Sequence, residues 1–335
     1  MTTTNGNNIN MLYLGGTGHK VSKLFSGSAK KEADHISAGR IPYFIDCSTS
    51  DAGLENSELE LITIGTGGSG GSRGTNIDLI MAETPAVVNK IEKTPITVVV
   101  FSMCGGSGSS LAYAVVDALL NKGNSVVLMM TSTPDSFGRT QNAIKTMSSL
   151  DNLAKQHNVV LPAFIYDTLD KGYIATDTSL IRHSVLLGTM LSTTVRSVDD
   201  QDRKHFLNPR LVDTSIPAGL YGLESFVGNK YVANDAVASC LTLVPAGASD
   251  NIGTGTSVLF GGVLSKTTMD AIIGEEDDNE PAISLLIRKK IITSYYDHVE
   301  KIGQKMNDDK EVAAPHEDIS LPSYVKSETK GGFVL

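Results

Sequence analysis

The chain has 335 residues, 41% of them apolar, so it can bury a sizeable core, and its length suits two packed units better than one ordinary one. A formal charge of −9 argues against a nucleic-acid coat, which draws on clustered Lys and Arg, and three scattered cysteines (Cys47, Cys104, Cys240) without CxxC spacing argue against a disulfide framework or zinc site and fit a reducing cytoplasm. The opening MTTTNGNNIN has neither the basic end nor the apolar run of a signal peptide, and no stretch approaches the ~18 apolar residues of a membrane span.

From Ile9, INMLYLGGTGHKVSKLF reads as strand, glycine turn and helix start. IPYFIDCSTSDAGL repeats the scheme, with Asp46 at the strand end and Ser48 or Ser50 available as a cap. A third strand, LELITIGT, runs into the most glycine-rich loop of the chain, residues 65–74. In TVVVFSMCGGSGSSLA the β-branched run Val98, Val99, Val100 favours extended backbone. Gly105, Gly106 and Gly108 then remove Cβ atoms just before a helical face of Leu111, Val115, Ala118 and Leu119, which closes near Gly123. A fifth strand, SVVLMMT, ends at STPDSFGR; helical spacing returns around Ile144 to Leu153, and NVVLPAFIYD is a sixth strand. Such alternation predicts an α/β fold with a mainly parallel sheet covered by helices on both faces, its ligands bound at the carboxyl ends of the strands.

Residues 176–196 suit one long helix, followed abruptly by SVDDQDRKHF. Short β-like runs, ASCLTLVPAG and TSVLFGGVL, predict a second, smaller α+β domain. The acidic run 275–280 precedes Pro281 and an amphipathic helix over 281–306, with Ile283, Ile287, Ile291, Tyr295, Val299, Ile302 and Met306 as its buried stripe and the acids at the end that favours negative charge. Beyond Met306 the chain is polar and proline-punctuated. The predicted organisation is a ligand-binding domain over 1–174, a central helix over 175–198, a second domain over 199–280, the final helix and an extended tail over 307–335.

Taken singly, the motifs are ambiguous. LGGTGHK resembles a dinucleotide turn, but Asp46 lies further past Gly18 than the ~20 residues usual for a ribose-binding acid, and there is no GxxxxGK[ST]. Residues 67–71 formally contain G-x-S-x-G, with Ser69 as nucleophile, yet glycines continue to Gly74 and oppose a rigid elbow. The seven histidines have no metal spacing, so no metal site is indicated by protein ligands alone; His183, mid-helix, is the one singled out. Asp199, Asp200 and Asp202 follow the long helix, where acids oppose the dipole unless something else uses their charge. Glycine loops at three or four successive strand ends point to one polyphosphate ligand held by backbone N–H groups and a helix N-terminus.

With GGSGSS after its fourth strand, the chain resembles the tubulin/FtsZ superfamily, whose signature is usually GGGTGSG or GGGTGTG, and the order of the other motifs agrees over nearly its whole length. The resemblance implies a GTPase that binds GTP or GDP with Mg2+ and polymerises head to tail. By it Gly15, Gly16, Thr17, Gly18 and His19 form the first phosphate loop and Asp46 and Ser48 the second. Gly67, Gly68, Ser69 and Gly70 sense the γ-phosphate; Cys104, Gly105, Gly106, Ser107, Gly108 and Ser109 form the signature loop. Pro134, Asp135 and Arg139 hold the ribose, and Tyr166 and His183 face the base. SVDDQDR matches the catalytic loop, with Asp199 and Asp202 on the two acidic positions that complete the neighbouring subunit's site.

Departures are Tyr13 at the first glycine of the first loop, Cys104, Ser107 and Ser110 within the signature, Tyr166 at the base-reading Asn, Ser197 at the Asn of the catalytic loop, and no Glu at the ribose. Size, loops and tail look most like the phage-encoded tubulins of the PhuZ/TubZ group. That implies a filament in the host bacterial cytoplasm, positioning viral DNA indirectly, with no membrane and no direct nucleic-acid partner. It also implies a tail docked on the neighbouring subunit through Ile319, Leu321, Tyr324, Phe333 and Val334; composition alone equally fits a tail without a partner. Two other readings stand beside this one, an NAD(P)-dependent oxidoreductase of Rossmann type and a nucleotide-binding scaffold that does not hydrolyse.

Overall fold

The structure, a computed structural model, describes residues 9–18, 20–21, 40–48, 60–66, 68–94, 96–192, 198–227, 237–245, 259–264 and 282–313. Six strands, β1 (Ile9–Leu14), β2 (Arg40–Ser48), β3 (Glu60–Thr66), β4 (Ile96–Ser102), β5 (Ser125–Ser132) and β6 (Val160–Asp167), pair in parallel in the order β3-β2-β1-β4-β5-β6. Helices α1 (Ile77–Lys90), α2 (Ser107–Asn121) and α3 (Phe137–Gln156) make the returns between them. Every residue of β4 is buried, as both faces of a covered parallel sheet require. Alternation splits the core by face: Met11, Tyr13, Val98 and Val100 point into one cluster, Leu12, Leu14, Val99 and Phe101 into the other.

After β6 come the short α4 (Thr168–Lys171), α5 (Tyr173–Ser192), α6 (Asp200–Leu207) and a 3-10 turn, Pro209–Leu211. The chain then forms β7 (Gly219–Val227), β8 (Ser239–Pro245), β9 (Leu259–Leu264), β10 (Ile283–Arg288) and α7 (Lys289–Ala313). β7 pairs in parallel with β6, and β10, β8 and β9 continue outward, so one ten-stranded sheet runs through both halves of the chain. The first cluster extends with it from Ile9 to Ile287. A core divided by sheet face, rather than at residue 199, joins the two regions that sequence pattern separates.

The expected helix over 281–306 is corrected at both ends. Ile283–Arg288 is a strand, and the helix begins only at Lys289 and continues to Ala313. Ile283 and Ile287 fit one helical face, but all of Ile283–Ile287 is buried because β10 lies between β7 and β8. Two ladders and two covered faces outweigh the four-residue spacing. The first turn of α7 therefore carries no acids, and the acidic run lies outside the described residues.

α7 runs antiparallel along α3. Lys289 Nζ donates to Asp151 Oδ1 (2.7 Å) near the end of α3, while Thr140, near its start, meets Gly303 and donates to Met306 Sδ (3.7 Å). Burial pushes the Asp151 carboxyl up, but hydrogen bonds from Lys155, Lys289 and the Leu220 N–H outweigh it and hold the group below the ordinary carboxylate range.

Direction along the sheet fixes where function is placed. Loops leaving the parallel strands lie on its carboxyl edge. Since β7 is parallel to β6, the chain must return to the amino edge before β7 begins, and the 20-residue α5, about 30 Å long, spans that distance. Asp199 and all that lies between α5 and β7 are thereby carried to the edge opposite the glycine loops.

Candidate functional site

A cleft of about 550 Å3 opens at the carboxyl edge, beside β1 and β4, where the strand order reverses. Its walls are Gly15, Gly16 and Thr17 after β1, Asp46 at the end of β2, Gly68 to Gly71 after β3, and Gly105 to Gly108 after β4. Glycine is required by contact here. Gly15 has φ +67°, and a Cβ there would come within 2.9 Å of the Gly108 nitrogen. At Gly106 a Cβ would collide with Ser69 Oγ and stand 2.7 Å from the Gly71 carbonyl carbon. Gly70 and Gly71, with φ +56° and +85°, have no neighbours within 4 Å of a Cβ position, so their left-handed backbone is what requires glycine.

Side chains clamp the loops from behind. Ser107 Oγ donates to Ser69 Oγ (2.9 Å), and Ser110 Oγ donates to the carbonyls of Arg73 (2.6 Å) and Gly106 (3.0 Å). Ser110, an unusual residue at its place in the signature, thus ties the third loop to α2. Ser109 Oγ turns back to the Gly105 and Gly106 carbonyls. From α3, Asn142 Nδ2 bridges the carbonyls of Gly71 (2.9 Å) and Cys104 (3.1 Å), and Asn76 Nδ2 holds that of Gly68 (3.0 Å). Arg73 is buried behind the loop, where burial lowers its pKa to about 10, leaving it charged at neutral pH. Chemically the cleft is a cradle of backbone N–H groups at the N-terminus of α2, whose first turn holds no acid, with Lys20 at its rim and one carboxylate, Asp46, in its wall.

The expected loop residues mostly converge there, with exceptions. Gly18 packs against Tyr13 and the Val100 carbonyl, holding the following turn on the sheet. Cys104 points away from the cleft: its buried thiol lies 3.4 Å from Ser132 Oγ and accepts from the Thr133 N–H (3.2 Å). His19 and Gly67 lie outside the described residues, as does the side chain of Ser48 at the end of β2. Lys20, Gly71, Ser102 and Asn142 were not anticipated. Lys20 had a signal, a cation one turn past a glycine loop. Asn142 had none, since its partners lie far away in sequence. Among the described residues no three His, Cys, Asp or Glu side chains converge as a metal site.

No family model matches the chain. The phage tubulin-like protein of Pseudomonas phage 201phi2-1 is 27% identical over 181 residues, 53% of this chain, and the match spans 55% of that relative's length. The protofilament structure of TubZ from bacteriophage PhiKZ superposes with a TM-score of 0.77 at 18% identity, covering 98% of this chain and 99% of that one. The structure of the phage tubulin PhuZ with GDP gives 0.76 at 17%, covering 97% and 99%. The chain has the tubulin/FtsZ-like fold. Its strand order β3-β2-β1-β4-β5-β6 is also that of dinucleotide-binding sheets, so these superpositions, and not the order, set the Rossmann reading aside.

In this tubulin-like frame α5 is the central helix. Pro134, Asp135 and Arg139 follow β5 at the cleft edge, with Asp135 and Arg139 paired at 2.7 Å. Tyr166 and His183 are brought together, but chiefly with protein partners: Tyr166 Oη meets His183 Nδ1 (3.0 Å), His183 Nε2 meets Ser225 Oγ (2.9 Å), and the His183 ring stacks on Phe164. This chain of contacts ties β6, α5 and β7 together.

Asp199 and Asp202 also have an unexpected partner, each other. Asp199 caps α6, accepting from the N–H groups of Gln201 (2.8 Å) and Asp202 (2.9 Å), and Asp202 accepts from the Asp199 N–H (3.0 Å), a reciprocal capping box. The acids thus stand at the start of a new helix, where the dipole favours them, and the expected conflict with the preceding helix end does not arise. Asp200 pairs with the buried Arg203 (2.8 Å), leaving Asp199 exposed and Asp202 part-exposed on the amino edge.

Gly106→Ala is expected to weaken binding of a fluorescent nucleoside triphosphate at least tenfold, whereas Gly138→Ala, which meets open space, leaves it unchanged; equal affinities in titrations of the two variants contradict the glycine-contact account. Burial lowers the His183 pKa to about 4, with Arg182 and Lys171 adding to the effect. An unfolded histidine takes up a proton near pH 6.5 and the folded one does not, so this contribution to stability is complete above that pH and is lost as pH falls toward 4. Urea unfolding at pH 7.5 and pH 5 is expected to differ by about 2 kcal/mol from this residue, and His183→Gln to remove that share.

Proposed function

We propose that the chain is a GTP-dependent filament protein, an enzyme that hydrolyses GTP to GDP and phosphate only where two copies meet. The observation that carries this reading is the separation of the glycine cleft from Asp199 and Asp202, which lie on opposite edges of one sheet with the length of α5 between them. One copy does not bring them together. A second copy stacked along the strands does, with the exposed carboxylates of its amino edge over the cleft of the first.

The tubulin-like fold and the GDP and protofilament of the structures it resembles support this reading. In the cleft, backbone N–H groups of the loops after β1 and β4 hold the phosphates, and the third loop, clamped by Ser110 and Asn142, meets the terminal one. Asp46 in the wall is the carboxylate that faces a magnesium ion, a cation that takes one or two carboxylates together with phosphate oxygens. When bound, that ion offsets phosphate charge. Asp199 and Asp202 of the adjoining copy orient the attacking water, a task of positioning. Loss of the terminal phosphate removes the third loop's ligand and loosens the contact.

The remaining assignments belong to the same proposal. Pro134, Asp135 and Arg139 serve the ribose, Tyr166 and His183 the base, and residues after the long helix dock on a neighbouring copy. The setting is the cytoplasm of an infected bacterium, where the filament positions viral DNA. No helix among the described residues is long and apolar enough to cross a membrane.

A second reading, a scaffold that binds nucleotide without turnover, is favoured by one observation: the capping box gives both acids a structural task. Asp199→Asn separates the two, since Asn caps a helix about as well as Asp but lacks the charge. On the GTPase reading this variant melts like the parent, binds GTP, assembles, and releases phosphate at least a hundredfold more slowly, so its filaments persist. Phosphate release at the parental rate removes the catalytic assignment.

A further inference from the structure

The exposed apolar side chains gather at both ends of one strand. At the carboxyl end of β6, Leu169 in α4 and Tyr173 and Ile174 at the start of α5 stand in solvent, Ile174 being 85% exposed. At the amino end, Leu211 and Val212 follow the 3-10 turn, and both are exposed. Two anchors place that turn beside the start of β6. Arg210 donates to the carbonyl and side-chain oxygens of Asn158, and Asn208 Oδ1 accepts from the Val160 N–H (3.0 Å). Single apolar residues on a surface need no explanation, but three within six residues at one end of a strand and two neighbours at the other form groups.

Their placement specifies a partner. Translation along β6 sets the amino-edge group of one copy on the carboxyl-edge group of the next, pairing two different surfaces. A contact of that kind grows without closing, whereas a two-fold contact would pair each group with itself. The same translation carries the acidic turn, which opens the segment ending in Leu211 and Val212, toward the edge that holds the cleft. We propose that Leu169, Tyr173 and Ile174 of one copy and Leu211 and Val212 of the next form the apolar contact that joins successive copies and registers the acids over the glycine cleft. This inference rests on the filament reading above.

The test uses the full chain with GTP, reading the critical concentration by sedimentation. Ile174→Glu and Val212→Glu alter exposed positions outside the cleft, so melting and nucleotide binding should match the parent while the critical concentration rises at least tenfold for each. Ile174→Lys combined with Val212→Glu in one chain sets Lys against Glu at every contact and is expected to assemble at a lower concentration than Ile174→Glu combined with Val212→Glu, where like charges meet. Single variants that assemble at the parental concentration, or a Lys/Glu chain no better than the Glu/Glu chain, would overturn the contact. An unaltered chain that binds GTP but never sediments overturns the filament reading itself, and this inference with it.

Discussion

Parallel strands impose a polarity that a compact chain cannot undo. Each leaves on the carboxyl edge and is re-entered from the amino edge, so the β1, β2, β3 and β4 loops of this chain converge at one side of the sheet, and whatever precedes β7 stands at the other. A phosphate cradle and a pair of exposed carboxylates separated in this way make half a site at each end of the molecule. The catalytic proposal and the apolar contact at the two ends of β6 are both consequences of this one constraint.

Within the cradle, close approach replaces the lysine of a phosphate-binding P-loop. Gly15 lies on Gly108, and Gly106 lies beneath Ser69 and Gly71, so three loops touch through positions with no room for a Cβ. Residues that depart from the usual signature have work in this arrangement: Ser110 reaches across to the Arg73 carbonyl, and the thiol of Cys104 faces the end of β5 rather than the cleft. Asn142 joins the third and fourth loops to α3, the helix along which α7 packs. A change in the third loop therefore has a short mechanical route to the C-terminal helix.

The parallel half was legible because its signals are local. A β-branched run ending in glycines before a 3.6-residue pattern is read within a dozen residues, and each such unit is present as expected. β10 was misread for an equally physical reason: Ile283 and Ile287 satisfy a helical face, and only the presence of β7 and β8 on either side decides for a strand. The capping box was legible in principle, as Asp199 and Asp202 have the spacing of a helix start, but attention to the helix before them obscured the one after. Asn142, and the pairing of Tyr166 with His183 and Ser225, depend on contacts between distant segments that no local pattern carries.

The most direct test of a divided site is the rate of phosphate release per copy as a function of protein concentration, at saturating GTP and magnesium. A site completed by a neighbour predicts negligible turnover at low concentration and a steep rise once copies associate, in step with light scattering. A rate per copy that stays constant down to concentrations at which the chain is monomeric would contradict the account.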